Sequence, residues 1–188
     1  MRINDLTESS GYSLEGSFTR DLITSKVWLL KELEKISNQY GTIYVLGSWY
    51  GNMAVLLELL KNIDYDTLIN VETSKEFLSG SKKILNSLGA DNIQYMLKDA
   101  NTLDYRQLGD DGVVINTSLT DMKGTDWFEN IPEGTLVAMQ ARDNDPGEKF
   151  TSPKDIVRKF PVDVIYQGEL DLQDPETKYK RFMVIGTK

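Results

Sequence analysis

The sequence predicts an α/β fold: a doubly wound, mostly parallel seven-stranded sheet that ends in an antiparallel hairpin. Short apolar runs of strand type alternate with segments whose apolar residues recur at helical spacing, as in a parallel sheet covered on both faces. One strand-to-helix junction, Gly47-Ser48-Trp49-Tyr50-Gly51, is bracketed by glycines. The last two β-type runs have only the turn-rich "QDPET" between them and therefore pair as a hairpin.

In chain order, a polar N-terminal arm precedes Leu22, Ile23, Val27, Leu30, Leu33 and Ile36, which mark a helix that stops at Gly41. Ile43–Leu46 reads as the first strand and Asn52–Lys61 as a helix. Thr67–Val71 is the second strand. Thr73, three residues before Glu76, opens the next helix as a capping box, and Gly89 closes it. "NIQYMLKDA" and "GVVINTS" are strands three and four, with short helical turns expected at Thr102–Leu108 and Asp126–Asn130. "GTLVAMQAR" is the fifth strand, and "SPKDIVRKF" is a helix with proline near its first turn. "VDVIYQGELDL" and "YKRFMVIGTK" form the hairpin.

The 188 residues suffice for one domain with a substantial core, and no linker divides them. The expectation is a single domain over 1–188, with 1–18 as an arm or lid. No apolar run approaches the roughly 18–20 residues of a membrane span, and the N-terminus lacks an apolar signal region, so the cytoplasm is the expected compartment. The chain has neither cysteine nor histidine, which excludes disulfides, thiolate nucleophiles, Cys/His zinc sites and imidazole bases. No acidic loop has calcium-ligand spacing, so no metal is expected. A net charge of −8 with scattered basic residues disfavours nucleic acid and favours a small molecule or a protein as partner. Oligomeric state is not legible.

Ligands of such sheets bind outside the carboxyl ends of the strands. The residues there are Gly47–Gly51, Glu72, Asp99 with Ala100, Asn116–Ser118 and Arg142–Asp145. Gly47 and Gly51 allow close backbone approach and expose a helix N-terminus. Glu72, 21 residues beyond Gly51, can accept both hydroxyls of a ribose, and Asp99 an adenine amino group. Each has a plainer alternative. Glu72 and Asp99 can be capping or turn-forming groups, Asn116-Thr117-Ser118 can cap the turn after its strand, and Trp49 can pack against Trp28.

This order of parts resembles the class I S-adenosylmethionine-dependent methyltransferases, from about Leu22 to Lys188. "VVINTSLTDM", "WFENIPEGTLVAMQ" and "GELDL…YKRFMVIG" are similar to small methyltransferase-like proteins of tailed phages. The resemblance implies a Rossmann-like fold and S-adenosylmethionine held by Gly47, Trp49, Gly51, Glu72, Asp99, Ala100 and Asn116. It also implies that Asn116 orients the acceptor and that Tyr12 closes over the site. Asp121 is a further candidate base. Two positions depart from the family's loop: Val45 stands at the acidic position and Trp49 at the middle glycine. Trp49 can offer its π-face to the sulfonium instead.

The expected activity is methyl transfer to a small molecule or protein acceptor. The alternative is an S-adenosylmethionine-using enzyme that transfers the aminopropyl or aminocarboxypropyl arm, or cleaves the cofactor to methylthioadenosine. A dinucleotide oxidoreductase fits less well, lacking the third glycine, and a non-catalytic interaction module is the last alternative.

Overall fold

The computed structural model describes residues 14–144 and 149–188. A one-turn helix, α1 (Leu14–Ser17), precedes α2 (Arg20–Ile36), β1 (Gln39–Leu46), α3 (Asn52–Leu60), β2 (Asp64–Glu72) and α4 (Lys75–Ser87). Then follow β3 (Ile93–Leu97), a 3-10 turn (Ala100–Thr102), β4 (Val113–Asn116), α5 (Asp126–Glu129) and β5 (Leu136–Arg142). The chain ends with α6 (Pro153–Lys159), β6 (Asp163–Gln173) and β7 (Lys178–Thr187).

The strands form one sheet in the order β3-β2-β1-β4-β5-β7-β6. β1 to β5 pair in parallel, and β7 runs antiparallel to both β5 and β6. The expected sheet, with its single reversed strand, is therefore present. Its order reverses between β1 and β4, where a crevice opens at the strand ends.

Alternation along each strand sends side chains to two cores. Val114, Met139, Val184 and their neighbours meet Tyr105, Trp127, Phe128, Ile156 and Phe160 on one face. Here the Trp127 ring lies 5.0 Å from Phe160 and 5.6 Å from Phe128, a spacing at which aromatic pairs attract. Val45, Ile115, Ala138 and Met183 meet α2, α3 and α4 on the other face.

Three local expectations are corrected. The first helix ends at Ile36, because Ser37 is extended and β1 begins at Gln39. Gly41 is a strand residue, and a Cβ there would lie 2.2 Å from the Asp111 carboxylate, so the close approach of that side chain accounts for the glycine. The cap of α4 is Ser74, whose hydroxyl accepts from Phe77 N–H, while Thr73 turns its N–H to Glu72. No helix forms over Thr102–Leu108: the 3-10 turn ends at Thr102, and Tyr105 takes a left-handed φ of 48° with its hydroxyl donating to Trp127 carbonyl. The proline expected near the first turn of α6 is there as Pro153, and Asp155 accepts from the N–H groups of Thr151 and Ser152 just before it.

Candidate functional site

A cleft of about 770 Å³ lies across the carboxyl ends of β1, β2 and β4. Its wall includes Gly47, Trp49, Glu72, Asp99, Ala100, Thr117 and Ser118, so most of the residues expected at successive strand ends share one space.

The loop after β1 is built on left-handed backbone at three alternate positions: Gly47 at φ 58°, Trp49 at 50° and Gly51 at 75°. Glycine adopts this conformation at little cost, whereas a tryptophan there is a strained outlier. Its surroundings hold it. The Trp49 N–H donates to Glu72 Oε2 at 2.9 Å, and its ring meets Phe77 edge-on at 6.2 Å. Tyr50 is buried beside it against α4, with its ring 5.0 Å from Phe77 and 6.0 Å from the Trp49 ring. Gly80 makes room for it, since a Cβ there would stand 2.8 Å from the Tyr50 ring. The two aromatics share Phe77 but differ in exposure: Tyr50 is buried, and Trp49 lines the cleft. Trp28 is engaged elsewhere, donating to the Tyr166 hydroxyl at 3.2 Å. Val45, at the family's acidic position, lies within the core under the helices.

Glu72 is nearly buried, and its two oxygens are used unequally. Oε1 accepts from Thr73 N–H at 2.8 Å, Ser74 N–H at 3.0 Å and the Thr73 hydroxyl at 3.3 Å. Oε2 accepts the Trp49 N–H, which leaves acceptor capacity on that oxygen. The carboxylate therefore ties the glycine loop to the start of α4 and still faces the cleft. Asp99 organises its own turn, its Oδ1 accepting from Asn101 N–H and side-chain amide. Among the described residues Oδ2 accepts no hydrogen bond.

Asn116 is placed differently from the expectation. It is fully buried at the end of β4; its Oδ1 accepts from Ser118 N–H at 2.9 Å and its amide points at the Met122 sulfur. It is not part of the cleft wall; the turn it braces presents Thr117 and Ser118 there. Arg142 and Asp121 line the cleft, and Asp143 instead bonds Lys180. Tyr12 and Asp145 lie outside the described residues.

A polar seam that no motif announced runs between α2 and the ends of β5 and β7. Lys26 is 4% exposed and Arg181 5%, and both line the cleft. Arg181 donates to the Thr117 carbonyl at 2.8 Å. Asp21 accepts the Tyr179 hydroxyl at 2.6 Å, and Gln140 donates to the Ser25 carbonyl at 2.9 Å. Two periodicities carried the signal. Lys26 stands in the buried stripe of α2 with Leu29, Leu30 and Leu33, and Arg181 in the row of β7 that buries Met183 and Ile185. A charge at an apolar position of either repeat marks a site or a compensated burial.

Lys26 makes no hydrogen bond or ion pair among the described residues. Burial pushes its pKa down to about 7, Arg181 pushes the same way, and Asp21 and Asp121 only partly oppose them. Unfolded, the group titrates near 10.5. Between these values the unfolded chain binds a proton that the folded chain does not, so Lys26's contribution to stability rises with pH across that window. Below about 7 its full cost is present. Lys26→Met should therefore stabilise the fold by about 1–4 kcal/mol near pH 6, with a smaller gain near pH 10. Urea unfolding of both chains at the two pH values checks this. A variant less stable than the parent at pH 6 would contradict the assignment.

Among the described residues no group of three or more acidic side chains is arranged to hold a metal, and no helix is long and apolar enough to cross a membrane.

No family model matches the sequence, and no curated protein sequence matches it. Solved structures do. The N-methyltransferase NodS from Bradyrhizobium japonicum, in complex with S-adenosyl-L-homocysteine, superposes with a TM-score of 0.70 at 11% identity, covering 97% of this chain and 95% of that one. A putative RNA methyltransferase from Pyrococcus horikoshii, PH1948, gives 0.69 at 14% identity, covering 99% and 96%. YcgJ from Bacillus subtilis gives 0.64 at 11%, covering 86% and 98%. At these identities the likeness shows a shared fold: the Rossmann-like methyltransferase sheet expected from the sequence.

Proposed function

We propose that this chain transfers a methyl group from S-adenosylmethionine to a small molecule or a protein side chain, as one domain working in the cytoplasm. The observation that carries the reading is the hydrogen bond from Trp49 N–H to Glu72, which joins the left-handed glycine loop and the acidic end of β2 in one cleft. The likeness to NodS, which holds S-adenosylhomocysteine, supports it. So do the segments similar to phage methyltransferase-like proteins.

The residues present fit the cofactor. Gly47 leaves no room for a side chain, a Cβ there lying 3.1 Å from the Ser118 Cβ and 3.3 Å from the Met122 methyl, so the backbone itself forms the cleft wall. Glu72 Oε2 and Asp99 Oδ2 supply acceptors for hydroxyl and amino groups, Ala100 an apolar surface and Trp49 a π-face for a cation. When bound, S-adenosylmethionine supplies an electrophilic methyl on a sulfonium, and the protein's task is alignment and exclusion of water.

Thr117 and Ser118 hold the acceptor beside that methyl, on a turn that Asn116 braces from below and Arg181 from the side. This chemistry needs neither imidazole nor thiolate, in keeping with a chain that has no histidine or cysteine. The acidic balance of the whole chain favours a small molecule or protein over nucleic acid.

Product analysis tests the reaction class. Incubation with methyl-deuterated S-adenosylmethionine and a cell-extract pool of acceptors should yield S-adenosylhomocysteine and a deuterated product by mass spectrometry. Methylthioadenosine would instead identify transfer of the other arm or cleavage of the cofactor.

A further inference from the structure

We propose that Lys26 and Arg181 form an oxyanion pocket at the acceptor end of the cleft, so that the molecule methylated carries a carboxylate or a phosphate. The inference deepens the methyltransferase reading and rests on it.

Both cations are about nineteen-twentieths buried, and both line the cleft. Lys26 has no hydrogen-bond acceptor among the described residues. Asp21, the acid nearest in sequence on α2, is bound to the Tyr179 hydroxyl. Arg181 is fixed by the Thr117 carbonyl, in the turn that faces the acceptor. Two buried cations repel and are costly to hold dry, yet each stands at a position where an apolar residue would complete the core. An oxyanion between them offsets the repulsion, and a guanidinium beside an ammonium is a donor set suited to one.

The charged groups acting on Lys26 are Arg181 from β7 and Asp21 and Asp121 from α2 and the turn after β4. With its pKa near 7, the lysine is partly neutral in neutral solution. An incoming oxyanion favours the ammonium, so binding takes up a proton from the buffer.

The experiment is calorimetric titration of inorganic phosphate, and in parallel acetate, into the chain saturated with S-adenosylhomocysteine, in two buffers of different ionisation enthalpy. The expected result is binding with net proton uptake, weakened about tenfold or more in Lys26→Met and in Arg181→Gln. The tighter of the two probes identifies the oxyanion class. Lys26→Met is the variant of choice because it keeps an unbranched apolar stem without the charge and is expected to fold more stably. S-adenosylhomocysteine should bind Lys26→Met as tightly as the parent.

Two results overturn the proposal. One is no binding of either anion to the parent chain. The other is loss of S-adenosylhomocysteine affinity in Lys26→Met, which assigns the pocket to the cofactor's own carboxylate. If S-adenosylhomocysteine fails to bind the parent chain, the methyltransferase reading fails separately. The anion titrations on the ligand-free chain then decide the pocket alone.

Discussion

Gly51→Ala should destabilise the fold by about 2–4 kcal/mol, the largest loss expected from any single methyl group added to the loop. Two costs combine. At φ 75° alanine sits in a conformation that L side chains avoid, worth about 1 kcal/mol or more. The added Cβ would also lie 2.1 Å from the Ser81 hydroxyl and 3.1 Å from its Cβ, and Ser81 is fully buried in α4. Either α4 moves or the loop does. Because Gly51 is also the residue from which α3 starts, the displacement reaches the cleft wall. Denaturant unfolding of the single variant and of Gly51→Ala in a Ser81→Ala background separates the costs. The Ser81→Ala background should recover the clash with the hydroxyl and keep the backbone part, together with the tight 3.1 Å approach to the Cβ. A loss below about 1 kcal/mol in the single variant would mean that the loop does not hold this conformation.

Glu72→Ala should weaken binding of S-adenosylmethionine by about 1–3 kcal/mol, roughly five- to 150-fold. The carboxylate acts twice. Its Oε2 holds Trp49 in its strained conformation and faces the cleft, and its Oε1 gathers the N–H groups of Thr73 and Ser74 at the entrance to α4. Removing it leaves those donors without an acceptor and releases the loop. Glu72→Gln offers one oxygen where two are used, so it should fall between parent and alanine. Titration calorimetry on the three chains gives the order. Equal affinities would remove Glu72 from the ligand site.

The sheet was legible because its strands and helices have different periods, and because a hairpin without a helix between its strands permits one reversed strand. The cleft wall was legible where backbone conformation leaves a mark in composition, as at Gly47, or where an acid ends a strand, as at Glu72. Asn116 shows the weakness of position alone. It stands at the expected strand end, but its short amide folds back onto Ser118 N–H and never reaches the cleft. Gly41 shows another: a glycine after a helical pattern reads as a stop, although here it admits the Asp111 side chain from a distant loop. Lys26 and Arg181 were hidden because helix and strand patterns are read by their apolar members. A charge that interrupts the stripe looks like noise until the partner strand is known.

The different exposure of Trp49 and Tyr50 also lay beyond the sequence. Both rings pack on Phe77, but Trp49 lines the cleft while Gly80 of α4 leaves the room in which Tyr50 is buried.

We propose that the loop after β1 and Glu72 form an adenosyl site. Titration of S-adenosylhomocysteine into the parent chain tests it most directly, since that product carries the adenosine and the amino-acid group without the reactive methyl. Saturable one-to-one binding that S-adenosylmethionine displaces is the expected result. Absence of any heat of binding, with the chain shown to be folded, would contradict it and leave Trp49 as the side wall of a cleft built for something else.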